Sequence, residues 1–149
     1  MNTGDHQPPE PPCVTVRCSQ DPSLTVHLTG RQFTDAYETS FTIEAQADGL
    51  LARVPDAIVS VWDRDGDIPG FLQALVDDFR GWTGERTWHT NQLTLTAAFH
   101  SGGHIALTWT LRPQGFTLPE WEASVTTWIE AGQHLTSLAA DLRAFFTRP

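Results

Sequence analysis

A β-hairpin pattern constrains the fold more than any other feature of this sequence. Between residues 93 and 111, apolar and polar residues alternate with the period of a strand that has one buried face. A two-residue Gly-Gly loop would set Phe99 opposite Ala106 and mix the two faces. A three-residue loop at 101–103 instead pairs Phe99 with Ile105 and keeps one face apolar, because directly opposed residues share a face. The sequence therefore predicts two antiparallel strands in this second register.

An amphipathic helix is predicted upstream of the hairpin, because apolar residues there recur at steps of three and four. Asp67 suits the helix N-terminus through its charge, and Pro69 suits the first turn through its fixed φ. Gly81 and Gly84 suit the helix end, where a left-handed residue is favoured. The predicted apolar stripe consists of Phe71, Leu72, Leu75, Val76, Phe79 and Trp82.

Alternation with a period of two recurs along the rest of the chain and predicts further strands. These runs cover residues 14–18, 24–28, 37–47, 50–54, 57–62 and 121–129. A second amphipathic helix is predicted near the C-terminus, with a stripe of Leu135, Leu138, Ala139, Leu142, Phe145 and Phe146. Successive strands and two separated helices predict a single α+β domain. Its expected core is one large, mostly antiparallel meander sheet of about seven to eight strands, with both helices packed on one face.

Length and charge narrow the classes of protein to which the chain can belong. Its 149 residues fit one domain, which we place at 13–149 after a disordered Pro-rich tail at 1–12. The net charge of −9 argues against nucleic-acid binding, which needs a basic surface, and suits either solubility or a basic protein partner. No apolar run reaches transmembrane length and no signal-peptide pattern is present, so we expect no membrane contact and a cytoplasmic protein.

Metal and cofactor patterns are weak throughout the sequence. His100 and His104 face each other across the predicted hairpin mouth, but zinc takes three or four ligands and no third one stands at a suitable spacing. The acidic run at 63–67 resembles a calcium loop, yet its Gly falls too early and Ala74 occupies the position of the bidentate Glu. We therefore expect no metal and no cofactor. The histidine pair remains a candidate binding feature, with a solvated turn as the alternative.

The polar side of the predicted sheet is a second candidate. Its members are Glu38, Ser40, Thr42, Glu44, Thr94, Thr96, Thr108, Thr110, Glu122, Ser124, Thr126 and Trp128. A solvated face of Thr and Glu is the ordinary interpretation of such a pattern. The sharper interpretation is a binding surface, because an exposed Trp128 would be a suitable contact anchor.

The connector between the first helix and the hairpin is the third candidate. It brings Trp82, Arg86 and Trp88 close together in sequence. In one interpretation the two indoles and Arg86 grip a ligand. In the other they form a packed corner in which Arg86 stacks on an indole and pairs with Glu85 or Asp78.

The same connector carries a resemblance to a known family. Its W-x-G-x-R-x-W pattern at 82–88 is accompanied by similar short runs at 79–81, 93–97, 103–104, 111–112, 129–133 and 138–142. Together these runs resemble an uncharacterised family of small bacterial proteins filed as domain of unknown function 6228. The similarity covers roughly residues 13–147, with Thr83 in place of a small acidic or polar residue. The resemblance implies a single domain and carries over no catalytic residue.

No catalytic pattern stands out in the sequence. It contains no G-x-S-x-G elbow and no glycine-rich phosphate loop ahead of a helix. We therefore expect a non-enzymatic interaction protein of immunity or antitoxin type. The alternative is a small-molecule-binding protein or enzyme that uses the corner of Trp82, Arg86 and Trp88 or the open sheet face.

Overall fold

The described part of the chain forms eight antiparallel strands and two helices, which confirms the α+β class. The structure is a computed structural model that describes residues 11–113 and 120–148. Residues 1–10, most of the predicted Pro-rich tail, lie outside this range. The elements are β1 (Val14–Arg17), β2 (Thr25–Phe33), β3 (Glu38–Ala47), β4 (Leu50–Ser60), α1 (Ile68–Asp77), β5 (Glu85–His89), β6 (Leu93–His100), β7 (His104–Leu111), β8 (Ala123–Glu130) and α2 (Gln133–Phe146).

The strands divide into two meander sheets of four, whereas the sequence pattern predicts one continuous sheet. Sheet A has the order β1-β2-β3-β4 and sheet B the order β5-β6-β7-β8. The chain leaves sheet A through α1, so β5 starts a new sheet instead of pairing with β4. The sheets meet where the backbone N–H of Ser19 donates to the carbonyl of Trp128 at 2.8 Å. There the N–H of Trp128 also donates to Cys18 Sγ at 3.3 Å.

The predicted register of the β6–β7 hairpin is confirmed. Phe99 lies opposite Ile105 and His100 lies opposite His104, which leaves a three-residue loop. Gly102 and Gly103 adopt φ values of 84° and 76° in this loop. Because L-residues with a side chain rarely adopt such angles, the two glycines make the tight connection possible.

The strand interruption predicted at Pro55 is a bulge within a single strand. Across from β4, Phe41 pairs with Ala57 and Ile43 pairs with Val54, so the register shifts at this point. The Thr42 hydroxyl donates to the carbonyl of Pro55 at 3.1 Å and satisfies one backbone group at the irregularity. A bulge accommodates proline because this residue has no N–H to give to a ladder.

One hydrophobic core is shared by the inner faces of both sheets and by both helices. Phe41 of sheet A meets Phe145 of α2 edge to face, with ring centroids 6.1 Å apart. Trp109 of sheet B is completely buried, and its indole N–H donates to Thr127 Oγ1 at 3.0 Å. Thr127 in turn donates to the carbonyl of Leu107 at 3.0 Å, so the polar atoms of this buried pair are satisfied.

Helix α1 begins as predicted and ends earlier. The Asp67 carboxylate accepts the N–H of Gly70 at 2.7 Å, which makes Asp67 the N-cap residue, and Pro69 lies in the first turn. The helix ends at Asp77, so Phe79 falls outside the stripe and is 60% exposed. Neither described helix is long and apolar enough to cross a membrane.

Candidate functional site

An open cavity of about 470 Å³ lies where β3 begins, β4 ends, α1 begins and α2 ends. Four separate chain segments therefore build its wall. The lining residues are Tyr37, Thr39, Val59, Ser60, Val61, Asp63, Gly66, Asp67, Ile68, Pro69, Phe146 and Arg148. A concave site with apolar walls and a few converging polar groups is the usual form of a binding pocket.

The rim of this cavity is formed by Tyr37, Val61 and Trp62, here called the aromatic rim. These side chains are 53%, 64% and 75% exposed. The Tyr37 and Trp62 rings stack with their centroids 5.6 Å apart and their planes tilted by 32°. Three large apolar side chains side by side in solvent are unusual for a surface of this size. The rim is therefore the strongest candidate contact surface in the described residues.

Hydrogen bonds at the end of sheet A hold the aromatic rim in place. The N–H of Val61 donates to the carbonyl of Tyr37 at 3.0 Å, which extends the β3–β4 ladder by one rung. The Asp35 carboxylate accepts the N–H groups of Tyr37 and Glu38 at 2.7 and 2.8 Å. This turn shape is typical of aspartate, whose short side chain bonds the backbone two residues further on. The rim is thus presented by ordered backbone.

Asp63 places a half-buried carboxylate inside the cavity. Its Oδ2 accepts the N–H of Ser60 at 2.9 Å. Burial raises the pKa of Asp63 above its ordinary value of 3.8; the Ser60 hydrogen bond opposes this and the charge of Asp65 adds to it. No salt bridge to Asp63 occurs among the described residues. The cavity therefore contains a negative charge that the protein itself compensates only in part.

The raised pKa of Asp63 leads to a prediction about stability and pH. The folded state binds this proton more tightly than the unfolded state, so ionisation of Asp63 lowers stability as pH rises from 3.8 through the raised value. Asp63→Asn removes the charge and keeps an acceptor for Ser60. We expect its stability relative to wild type to increase with pH, measured by denaturant unfolding between about pH 3.5 and 7. Asp48→Asn, at the exposed β3–β4 turn, is the control; an equal pH trend in both variants would contradict the assignment.

Arg148 also lines the cavity, and its guanidinium donates to backbone carbonyls. Its Nη1 donates to the carbonyl of Asp35 at 2.7 Å and its Nη2 to the carbonyl of Glu38 at 3.2 Å. The guanidinium also lies 4.7 Å from the centre of the Phe33 ring. These contacts tie the end of the chain after α2 to the turn before β3. Arg148 thus has a structural role, because it holds together two of the segments that line the cavity.

The turn below the cavity is anchored to sheet B. The indole N–H of Trp88 donates to the carbonyl of Gly66 at 2.8 Å. Asp65 Oδ2 accepts the backbone N–H of His89 at 3.0 Å and lies 2.7 Å from its Nδ1. Because all three contacts come from β5, the acidic run at 63–67 is held as a fixed turn leading into α1.

The corner of Trp82, Arg86 and Trp88 has the geometry of its packed interpretation. Trp88 is completely buried, and the Trp82 indole N–H donates to the carbonyl of Ala97 at 3.2 Å. Arg86 lies 4.8 Å from the centre of the Trp82 ring and pairs with Asp78 at 2.6 Å. The indole N–H of Trp82 and the guanidinium of Arg86 thus have their partners within the chain.

The histidine pair and Trp128 lie together at the mouth of the β6–β7 hairpin. His100 is exposed and its ring lies 5.0 Å from that of Trp128, edge to face. Trp128 is half-buried, and its backbone joins the two sheets. His104 lies opposite both His100 and Glu130. Among the described residues, no group of three or more His, Cys, Asp and Glu side chains is placed to hold a metal ion.

The predicted open sheet face is distributed over the two sheets. Glu38 to Glu44 belong to β3 of sheet A, and the Thr-rich part belongs to sheet B. On sheet B the hydroxyls bond one another across strands, Thr108 to Thr126 at 2.8 Å and Thr110 to Ser124 at 2.7 Å. These pairs are typical of a sheet face that satisfies its own polar groups.

Sequence reasoning missed the cavity and its rim. Tyr37 and Trp62 are visible only as the ends of two predicted strands, and nothing in the alternation says that they are neighbours. Their contact depends on the β3–β4 register, which the bulge at Pro55 changes. The available signal was the turn-rich run after Trp62, which places an aromatic residue directly beyond a strand.

Comparison with known proteins gives one match, to a family model. No curated protein and no solved structure matches it. A family model described as "Family of unknown function (DUF6228)" matches residues 17–149, which include β2 to β8 and both helices. This match confirms the resemblance that starts from the W-x-G-x-R-x-W corner, and the chain belongs to this family of unknown function.

Proposed function

We propose that this is a non-enzymatic interaction protein that binds a basic protein partner through the aromatic rim. The observation that carries the proposal is the stacked, solvent-exposed pair of Tyr37 and Trp62 beside Val61. Tyr and Trp are enriched among the residues that dominate the energetics of protein interfaces. Exposed together on ordered backbone, they provide apolar area at little cost in side-chain entropy.

Charge supports a basic partner. The chain has a net charge of −9, and Asp63 and Asp67 both line the cavity beside the rim. Opposite charges on two proteins accelerate their encounter and select against acidic competitors. We propose a cytoplasmic role of immunity or antitoxin type, in which binding alone neutralises a basic bacterial protein.

A second candidate function is small-molecule binding in the cavity. Its volume of about 470 Å³ lies within the range of about 300–1,000 Å³ that small ligands occupy. This candidate depends on the inner wall, whereas the first depends on the outward-facing rim. A substitution of Trp62 distinguishes the two candidate functions. The Trp62 ring packs on Tyr37 in the rim but does not line the cavity, so the substitution should weaken protein binding and spare small-molecule binding.

The test compares partner capture by wild type and by Trp62→Ser. Both full-length proteins serve as baits in extract of the native cells, and Leu51→Ser is the matched control because Leu51 is also exposed, at 67%. We expect a partner that wild type and Leu51→Ser retain. Its affinity for Trp62→Ser should fall at least about 30-fold, the effect of an interface residue worth 2 kcal/mol or more. Equal capture by all three baits, or no captured protein at all, would contradict the proposal.

A further inference from the structure

In the corner of Trp82, Arg86 and Trp88, an aromatic ring and a carboxylate together stabilise a guanidinium. Arg86 lies against the Trp82 ring at 4.8 Å and pairs with the Asp78 carboxylate at 2.6 Å. Ring face and carboxylate act together, because the π electrons attract the guanidinium while the carboxylate neutralises it. Phe33 repeats the aromatic half of this arrangement, with the guanidinium groups of Arg31 and Arg148 each 4.7 Å from its ring centre.

The cavity has the same two components, and the one guanidinium that lines it, that of Arg148, donates to backbone carbonyls. Tyr37 supplies an aromatic ring on its wall, extended by the stacked Trp62, and Asp63 supplies the carboxylate. Only one oxygen of Asp63 accepts a hydrogen bond from the described residues, Oδ2 from Ser60. The other oxygen, Oδ1, accepts no hydrogen bond from the part of the chain that the structure describes.

The other two charged side chains at the cavity, Asp67 and Arg148, already form hydrogen bonds with backbone groups. Asp67 accepts the N–H of Gly70 at the start of α1, and Arg148 donates to the carbonyls of Asp35 and Glu38. Two carboxylates and one guanidinium line the cavity, so a bound cation would balance Asp63. A carboxylate that burial has partly stripped of water gains most from such a partner.

We propose that the cavity receives an arginine side chain of the basic partner, with its guanidinium against Tyr37 and paired with Asp63. This inference rests on the proposed function and names the group that the site recognises. Arginine fits better than lysine because its planar guanidinium stacks on aromatic rings and is more weakly hydrated. The aromatic rim then surrounds the ion pair and excludes water from it.

The test uses Nα-acetyl-arginine methylamide as the probe and the citrulline analogue as its neutral isostere. Binding to the full chain is followed by NMR through the Trp62 indole N–H, which is assigned by its disappearance in Trp62→Phe. We expect the arginine probe to bind at least about tenfold more tightly than the citrulline probe, the effect of 1.4 kcal/mol. Asp63→Asn should bring the two affinities within about twofold, and Asp48→Asn should leave the preference intact.

The outcomes separate this inference from the proposed function. Equal affinity for both probes, no response of the Trp62 signal up to about 100 mM arginine probe, or an unchanged preference in Asp63→Asn each overturns the arginine pocket. If Trp62→Ser nevertheless loses the captured partner, the interaction function stands and the arginine pocket does not. If the probes behave as expected but no partner depends on Trp62, the cavity binds arginine and the rim is not the protein contact.

Discussion

Trp88→Ala is expected to lower the free energy of unfolding by about 3–5 kcal/mol, the cost of removing a large buried aromatic side chain. Trp88 has no exposed surface, and its ring is part of the shared core. The substitution also leaves the carbonyl of Gly66 without the indole N–H that it accepts at 2.8 Å. Chemical denaturation monitored by circular dichroism measures the loss.

Trp62→Ala is the matched control for this prediction, since it makes the same chemical change at a site that is 75% exposed. Its unfolding free energy is expected to change by less than about 1 kcal/mol, because little apolar area is buried there. Trp88→Ala should thus lower stability, whereas Trp62→Ala should leave stability nearly unchanged. A similar loss of stability in both would mean that burial of Trp88 does not determine its contribution.

Gly81→Ala is the second variant with a large expected effect, about 2–5 kcal/mol. The backbone at Gly81 has φ of 112°, which costs an alanine about 1–2 kcal/mol. A Cβ there would also lie 2.8 Å from the Phe99 ring, and displacing this ring adds about 1–3 kcal/mol. Phe99 cannot move freely because its ring meets that of Trp82 edge to face, with the centroids 5.3 Å apart. Denaturant unfolding checks the total.

Gly84→Ala isolates the backbone part of that cost. Gly84 has a positive φ of 77°, but a Cβ there would meet no atom within 4 Å. Its expected cost is therefore the strain alone, about 1–2 kcal/mol. If the two variants were equally destabilised, the close approach of Gly81 to Phe99 would contribute nothing.

Local patterns predicted the elements of this fold well. The β6–β7 register followed from keeping Phe99 and Ile105 on one face, and that pairing is observed. The beginning of α1 was predicted from Asp67 and Pro69, because helix capping and the fixed φ of proline depend only on neighbouring residues. The end of α1 was not predictable in this way, because Phe79 continues the apolar stripe but finds no core to enter.

The sequence pattern did not predict how distant elements are arranged relative to one another. Alternation tells which face of a strand is buried and does not tell which strands share a sheet, so the division after β4 was missed. The cavity was missed for a related reason. Its wall comes from four segments, and Arg148 reaches Asp35 and Glu38 across more than half of the chain.

The bulge in β4 has a consequence for the protein at high concentration. β4 is one of the two outer strands of sheet A among the described residues, and an outer strand offers unpaired backbone groups to the strand of another molecule. Pro55 gives no N–H to such a pairing, and the register shift beside it bends the strand. The irregularity thus discourages edge-to-edge pairing of β4 with a strand of another molecule.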